Sequence, residues 1–491
     1  MHVVGLKIMM KKYVYIILVI SLVAAAGCSG KADVCGVCEG VGEAVQAPGF
    51  VSIANGYFSI DGDAWFPKML NYKAELREVG GKVAVMPVPW YTGGSLREHF
   101  DTIASWGFNA VRICLDAPYD YDDKAMIDAV RCAVLQADSA GLRVMLLVYP
   151  PLDKRWRTYT ERLMRTLADL PALWAYDLMN EPLYFDPEPR RDKCDAASIV
   201  CQWRKMVRKN APHQLFTVAT AEPIEVFEWD PSMLPVDFVE MHTYHPLRVQ
   251  AEMWWYSHHC GKPWMVGETG LPADGDSVSY EAQMSFMFST YRYAKVHGAC
   301  GYGWWEFQDC PQGPNFEAQY TGLRDRNGKA KPAATLLKHW LCLGVGLDED
   351  WQYPVNYWNM LAYNNVSVVG RVVDTCGNAV RGAVIRGWNE DWSVGMNTFG
   401  DTAGRFRLVS NDLCTHFEIS APGYSNVKFD RQLSYPADMQ LPDREREYQQ
   451  IPLLGWGDNE YSVLPFGDTS RYAAKGAAEA DMGEVRLVKL K

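Results

Sequence analysis

Trp174-Ala175-Tyr176-Asp177-Leu178-Met179-Asn180-Glu181-Pro182 is an apolar run of strand length that stops abruptly at an amide, a carboxylate and a proline. A closed parallel barrel places its working groups where buried strands end in this way. A second run ends alike, in Lys262-Pro263-Trp264-Met265-Val266-Gly267-Glu268-Thr269-Gly270. Two carboxylates on the tips of two parallel strands, facing one acetal carbon, form the pair that glycosidic bond cleavage requires.

The flanking sequence repeats strand then helix. Trp65–Asn71 reads as a first strand, and Ser95–Trp106 as a helix with Leu96, Phe100 and Ile103 on one face. Asn109–Cys114, a helix from about Asp123 to Ala140, Leu142–Tyr149 and a helix over Arg157–Leu170 lead into the quoted strand. Leu215–Thr220, Asp237–His242, Pro263–Glu268 and Ala299–Trp305 supply the remaining strands, with helices from about Ala197, Leu247, Tyr280 and Ala333. The alternation predicts an α/β fold, a (β/α)8 TIM barrel over residues 51–346. An open doubly wound sheet would want a Gly-rich phosphate turn after its first strand, and the chain has none.

The pattern changes beyond the barrel. After a linker over 347–365, residues 366–491 alternate apolar and polar side chains between frequent Gly, Asn and Asp, which predicts an all-β unit. Val369-Gly370-Arg371-Val372-Val373-Asp374, Gly377, Val380–Val384, Thr402–Phe406 and Asp481–Leu487 resemble the carboxypeptidase regulatory-like domain. That resemblance implies a small prealbumin/Ig-like sandwich, a spacer or accessory module, with glycan binding as its other role.

At the other end, Lys7, Lys11 and Lys12 precede an apolar run from Tyr13 to Ala26 that is short for a membrane span. Ala25-Ala26-Gly27-Cys28 resembles the lipobox of bacterial lipoproteins. The expectation is a signal peptide over 1–27, a lipid on Cys28, a tether over 28–50, and an exported protein held at a bacterial membrane, the outer membrane or cell surface, by that anchor alone. A plain secretory signal is the other reading. Cys35-Gly36-Val37-Cys38 stands alone and does not form a paired metal motif. In an oxidising compartment Cys194–Cys201 and Cys376–Cys414 are candidate disulfides, though spacing does not fix connectivity. A formal charge of −11 argues against a nucleic acid partner, whereas a neutral glycan is indifferent to it. The 18 Trp and 26 Tyr exceed what packing requires and suit a cleft in which rings stack on sugars.

Taken together, the strand tips resemble clan A of the glycoside hydrolases, most closely glycoside hydrolase family 5, the cellulase-type family, over most of residues 57–345. The resemblance implies that Glu181 is the acid/base and Glu268 the nucleophile of a retaining β-glycosidase acting on a polysaccharide or oligosaccharide, with no metal and no organic cofactor. It implies that Arg112 and the hydroxyl of Tyr244 hold Glu268 ionised, that His242 neighbours the acid/base, and that Asn180 meets the sugar 2-hydroxyl. A charge at the end of an apolar strand, as at Arg112, is costly unless paired, and a structural pairing with a nearby acid is its other explanation. Trp305 or Trp304 supplies a sugar platform, and only one of two consecutive strand residues can point inward. Asn71, Tyr149 and Tyr184 are further candidates for substrate contact. Tyr149 stands where cellulase-type members carry a histidine, a departure from the family pattern. Endo-action on a β-glucan or β-mannan is the expected activity. An exo-acting β-mannosidase- or β-galactosidase-like enzyme and a retired, glycan-capturing surface lipoprotein are the alternatives.

Overall fold

The computed structural model describes residues 38, 41–116, 121–188, 190–244, 248–340, 366–390, 395–410, 414–430 and 478–490. The signal segment, Cys28 and the 347–365 linker lie outside them.

Eight parallel strands form the barrel: β1 (Lys68–Val79), β2 (Ala110–Asp116), β3 (Arg143–Leu147), β4 (Leu173–Asn180), β5 (Leu215–Thr220), β6 (Val239–His242), β7 (Trp264–Glu268) and β8 (Tyr302–Trp304). Each pairs with its neighbours in sequence, and β8 closes on β1 through Tyr302↔Lys68, Gly303↔Met69 and Trp304↔Leu70. The continuous apolar runs are the reason: β5, β6 and β7 are buried along their whole length, as strands covered on both faces must be.

The helices pack outside: α1 (Leu96–Ser105), α2 (Asp123–Ser139), α3 (Lys154–Leu167), α4 (Lys193–Asn210), α5 (Val249–His259) and α6 (Tyr280–Val296). Capping chemistry sets their starts. Ser95 and Glu98 form a reciprocal capping box at α1, whose buried face is Leu96, His99, Phe100 and Ile103. The third helix begins before Arg157 because the Asp153 side chain accepts from the Trp156 backbone N–H. The first strand starts at Lys68 rather than Trp65 and continues past the barrel mouth to Val79, where Lys82–Pro87 folds back on it antiparallel. Between β5 and β6 the chain makes only a 3-10 turn, Pro223–Phe227.

A small antiparallel sheet of strands Val51–Ala54, Tyr57–Ile60 and Asp63–Ala64 covers the amino-terminal end of the barrel. Phe58 packs edge-on against Trp174 and Phe238, each with ring centroids 5.1 Å away. That end is plugged with apolar rings, so polar chemistry is confined to the opposite mouth.

The C-terminal unit has two sheets. One runs in the order β12 (Arg405–Ser410), β9 (Val366–Asp374), β15 (Ala478–Leu487), and the other β11 (Gly395–Phe399), β10 (Val384–Trp388), β13 (His416–Ser420), β14 (Val427–Asp430). Val368, Val372, Ile385, Phe406, Leu408, Phe417 and Ile419 fill the space between them. This all-β unit is docked on the barrel. Trp255 Nε1 donates to Gly382 O at 3.0 Å, Arg190 pairs with Glu418 at 2.5 Å, and Lys193 Nζ bridges Asp230 Oδ2 and Ala421 O at 3.0 Å each.

The disulfide expectation is corrected. Cys201 bonds Cys38, with Cα atoms 5.5 Å apart, which excludes a Cys194–Cys201 bridge. Cys376 is a free surface thiol, so no Cys376–Cys414 bridge forms either. Spacing along the chain hid the partner because it lies 163 residues away, at the start of the described chain. Among the described residues no helix is long and apolar enough to cross a membrane.

Candidate active site

The ladder of β4 ends at Asn180, and Glu181 adopts a left-handed backbone (φ 40°, ψ 68°). Pro182 then opens a one-turn helix, Pro182–Phe185, whose Tyr184 and Phe185 N–H groups donate back to Glu181 O. The left-handed region is uncommon for a residue bearing a Cβ, and it is held here from outside the segment. Glu181 N–H donates to Ala219 O at 2.7 Å, and Glu225 Oε1 accepts from the N–H groups of Leu183 and Ala221. Glu225 is fully buried, and burial pushes its carboxyl up to about 8.

Glu268 ends β7 with both oxygens engaged. Oε1 accepts from Arg112 at 2.5 Å and Oε2 from the Tyr244 hydroxyl at 2.5 Å. Arg112, wholly buried on β2, also donates to Asp177 Oδ2, to Asn180 Oδ1 at 2.7 Å and to Asn71 Oδ1 at 2.9 Å. This arginine therefore both pairs with a buried acid of β4 and clamps Glu268. Burial pushes the Asp177 carboxyl up to about 7 although Arg112 beside it favours the ionised form.

His242, last residue of β6, places Nδ1 2.7 Å from Glu181 Oε1 and 3.5 Å from Glu268 Oε2. Burial disfavours its charged form, but the carboxylates of Glu268, Glu181 and Glu240 outweigh that and raise its pKa to about 10. One donor atom each from Glu181, His242 and Glu268 lies within 4.8 Å of the others. A cation could span that gap, yet both oxygens of Glu268 already accept strong hydrogen bonds and Arg112 supplies the positive charge. The donor set suits proton transfer beside a clamped carboxylate better than metal binding.

The remaining candidates separate by location. Asn71 is fully buried and its amide donates to Gly267 O and Trp304 O at 2.9 and 3.0 Å. It braces Arg112 from below, with no surface left for a sugar. Asn180 accepts from Arg112 through Oδ1, while its amide nitrogen donates to no described residue. Trp304 is fully buried against Phe286, with Nε1 donating to Thr321 O at 3.0 Å. Trp305 is only partly buried, with Lys73 Nζ 5.4 Å from its ring centroid. Tyr149 is 41% exposed, its ring tilted against Trp156 with centroids 4.3 Å apart. Tyr184 is 55% exposed, its hydroxyl donating to Glu222 at 3.2 Å. Both rings are exposed, and Tyr184 lies within electrostatic reach of Glu181.

Three further residues escaped the sequence reading. Asp177 and Glu240 are fully buried acids inside strands β4 and β6, and Glu306 follows Trp305 across a cis peptide bond. Burial raises the Glu306 carboxyl to about 7, and it accepts from the Tyr91 hydroxyl at 2.7 Å. The available signal was an acid within an apolar run of strand length, where an unpaired charge is costly.

No protein-family model matches the chain, and neither does any curated protein. Among solved structures it is similar to a GH5_18 protein from Bifidobacterium longum subsp. longum, at 18% identity over 59% of this chain and 81% of that one, with a TM-score of 0.42. It is similar to a GH5_18 protein from Streptomyces cattleya in complex with GlcNAc, at 17% identity, 57% and 78% coverage and a TM-score of 0.43. A beta-glucuronidase from Faecalibacterium prausnitzii matches at 16% identity, 60% and 52% coverage and a TM-score of 0.45.

Proposed function

We propose that the chain is a retaining β-glycosidase that cleaves by double displacement, with Glu268 as nucleophile and Glu181 as acid/base. The observation that carries this is the spacing of the two carboxylates, whose nearest oxygens lie within 4.8 Å across one barrel mouth. Retaining enzymes hold the pair about 5–5.5 Å apart, and inverting ones about 6.5–9.5 Å to admit a water. The surroundings of the two acids differ as the roles demand. Glu268 accepts from a guanidinium and a phenol, one on each oxygen. Glu181 pairs with His242 and is the more solvent-exposed of the two, at 17% against 6% for the side chains.

In the first step Glu268 attacks the anomeric carbon while Glu181 passes its proton to the departing glycosidic oxygen. Water then enters, Glu181 takes a proton from it, and the resulting attack frees Glu268. The charge that develops at the sugar is met by Glu268, which Arg112 holds in place.

The substrate half of the proposal is a β-linked polysaccharide, a glucan or mannan, cut internally. The exposed rings of Tyr149 and Tyr184 support binding of sugars beyond the cleaved unit. Lipid anchoring through Cys28 at the outer membrane or cell surface completes the proposed setting, placing the enzyme where polymeric glycan arrives from outside.

Glu268→Ala tests the chemistry. Hydrolysis of an activated aryl β-glycoside is expected to vanish and to return with azide as a glycosyl azide of inverted configuration. Unchanged turnover in that variant would end the proposal. Product sizes from a panel of β-glucans, mannans, xylans and galactans test the substrate half, since release of monosaccharide alone would replace endo- by exo-action.

A further inference from the structure

Glu240 lies two residues before His242 on β6, so both side chains point into the barrel. It is fully buried, and neither carboxylate oxygen accepts a hydrogen bond from any described residue. Its neighbours are nonetheless charged: Arg112 Nε is 3.5 Å from Oε1, and His242 Nε2 is 3.7 Å from the same oxygen. Room for this acid is built into the adjacent strand. A Cβ on Gly267 of β7 would come within 2.0 Å of Glu240 Oε1, so a glycine is required where the carboxylate crosses. A buried carboxylate without hydrogen bonds is costly, and stability alone gives no reason to accommodate one. Arg112 is already offset by Asp177 and Glu268. His242 Nε2 has no hydrogen-bond partner among the described residues, and Glu240 is the acid beside it.

We infer that Glu240 is a positioning residue for the proton-handling half of the site: from behind the imidazole ring it keeps His242 an imidazolium whose Nδ1–H faces Glu181. The inference rests on the glycosidase reading of Glu181 and extends it. Among the described residues, the groups acting on His242 are Asp177 from β4, Glu181 just after it, Glu268 from β7 and Glu240 from its own strand, with Arg112 of β2 3.5 Å from Glu240 Oε1 and Tyr244 bonded to Glu268. Glu181 and Glu268 change protonation or bonding during the reaction, whereas Glu240 lies behind the ring with Oε1 3.7 Å from His242 Nε2. It therefore holds the imidazolium from the same position through both steps. The imidazolium then stabilises the Glu181 carboxylate formed once the leaving oxygen has taken its proton.

Glu240→Gln tests this, with the imidazole signals of 15N-histidine-labelled full-length protein followed through pH and His242→Asn used to assign them. The expected result is a fall in the His242 midpoint of about one pH unit or more, that is tenfold or more in proton affinity. Glu240→Asp, which keeps the charge, should restore most of the shift. A His242 midpoint unchanged in Glu240→Gln would overturn the inference. Should the Gln variant not fold, the Asp variant must still show a smaller displacement in the same direction, and none would be equally fatal. The titration needs no substrate, so a chain that hydrolyses nothing can still pass it. An active enzyme that fails it loses only this role for Glu240.

Discussion

Arg112 gathers oxygens from three strands, Asn71 of β1, Asp177 and Asn180 of β4, and Glu268 of β7, around one guanidinium with no solvent exposure. Its removal would leave Asp177, Glu240 and Glu268 buried with no guanidinium among them. Breaking a buried pair from one side costs about 3–5 kcal/mol. Arg112→Met is therefore expected to lose stability of that order in urea denaturation and to lose activity with it; a loss below about 1 kcal/mol would show that the charge cluster is solvated after all. The sequence exposed this residue because a cation stood in an apolar strand, and the tips Glu181, His242, Tyr244 and Glu268 were readable for a similar reason. Asp177 and Glu240 carried the same signal without their partners. Each sits in the body of a strand, where periodicity says buried and cannot say against what. Asn71 was misjudged in the same way, since ending up inside the barrel rather than on its rim depends on how far β1 runs past it.

The last barrel strand shows what pleating decides that composition cannot. Trp304 and Trp305 are adjacent and chemically identical, and the alternation of β8 sends the first outward against Phe286 and leaves the second near the mouth. Trp304→Ala should open a cavity and cost about 3–5 kcal/mol, read as a lower denaturation midpoint with KM little changed. Trp305→Ala should do the reverse, raising KM roughly 2–10-fold, from the 0.5–1.5 kcal/mol of an aromatic contact, while stability is nearly kept. Exchange of these two outcomes would show the assignment to be inverted. Strand–helix alternation was legible because each barrel strand is buried on both faces and each helix on one. The 3-10 turn at Pro223–Phe227 was not, since its conformation depends on Glu225 accepting N–H groups from Leu183 and Ala221. Local propensity carries no information about such a partner.

The described residues from 38 onward form one compact unit, although the sequence reads as two folds joined by a linker. The join is both apolar and polar. Val384 and Phe399 of the sandwich belong to the same buried cluster as the barrel core, with the Phe399 ring 6.5 Å from Trp255. Around them Asp230 Oδ2 accepts from Lys193 Nζ at 3.0 Å and from Gly423 N–H at 2.8 Å, and Asn426 donates to Phe227 O. Phe227 closes the 3-10 turn whose Glu225 braces the segment after Glu181, so the sandwich buttresses a loop of the active site. Lys193 is 3% exposed, and burial lowers its proton affinity while Asp230 opposes that. Truncating it would strand Asp230 and Ala421 O in the interface, at a cost of about 3–5 kcal/mol placed between the two folds. The intact protein should therefore melt in one calorimetric transition whose van't Hoff and calorimetric enthalpies agree. Lys193→Ala should separate that transition into two, with the sandwich melting first and kcat falling as it does. Two resolved transitions already present in the unaltered protein would mean that the interface is too weak to couple the folds, and the buttress would then have no bearing on Glu181.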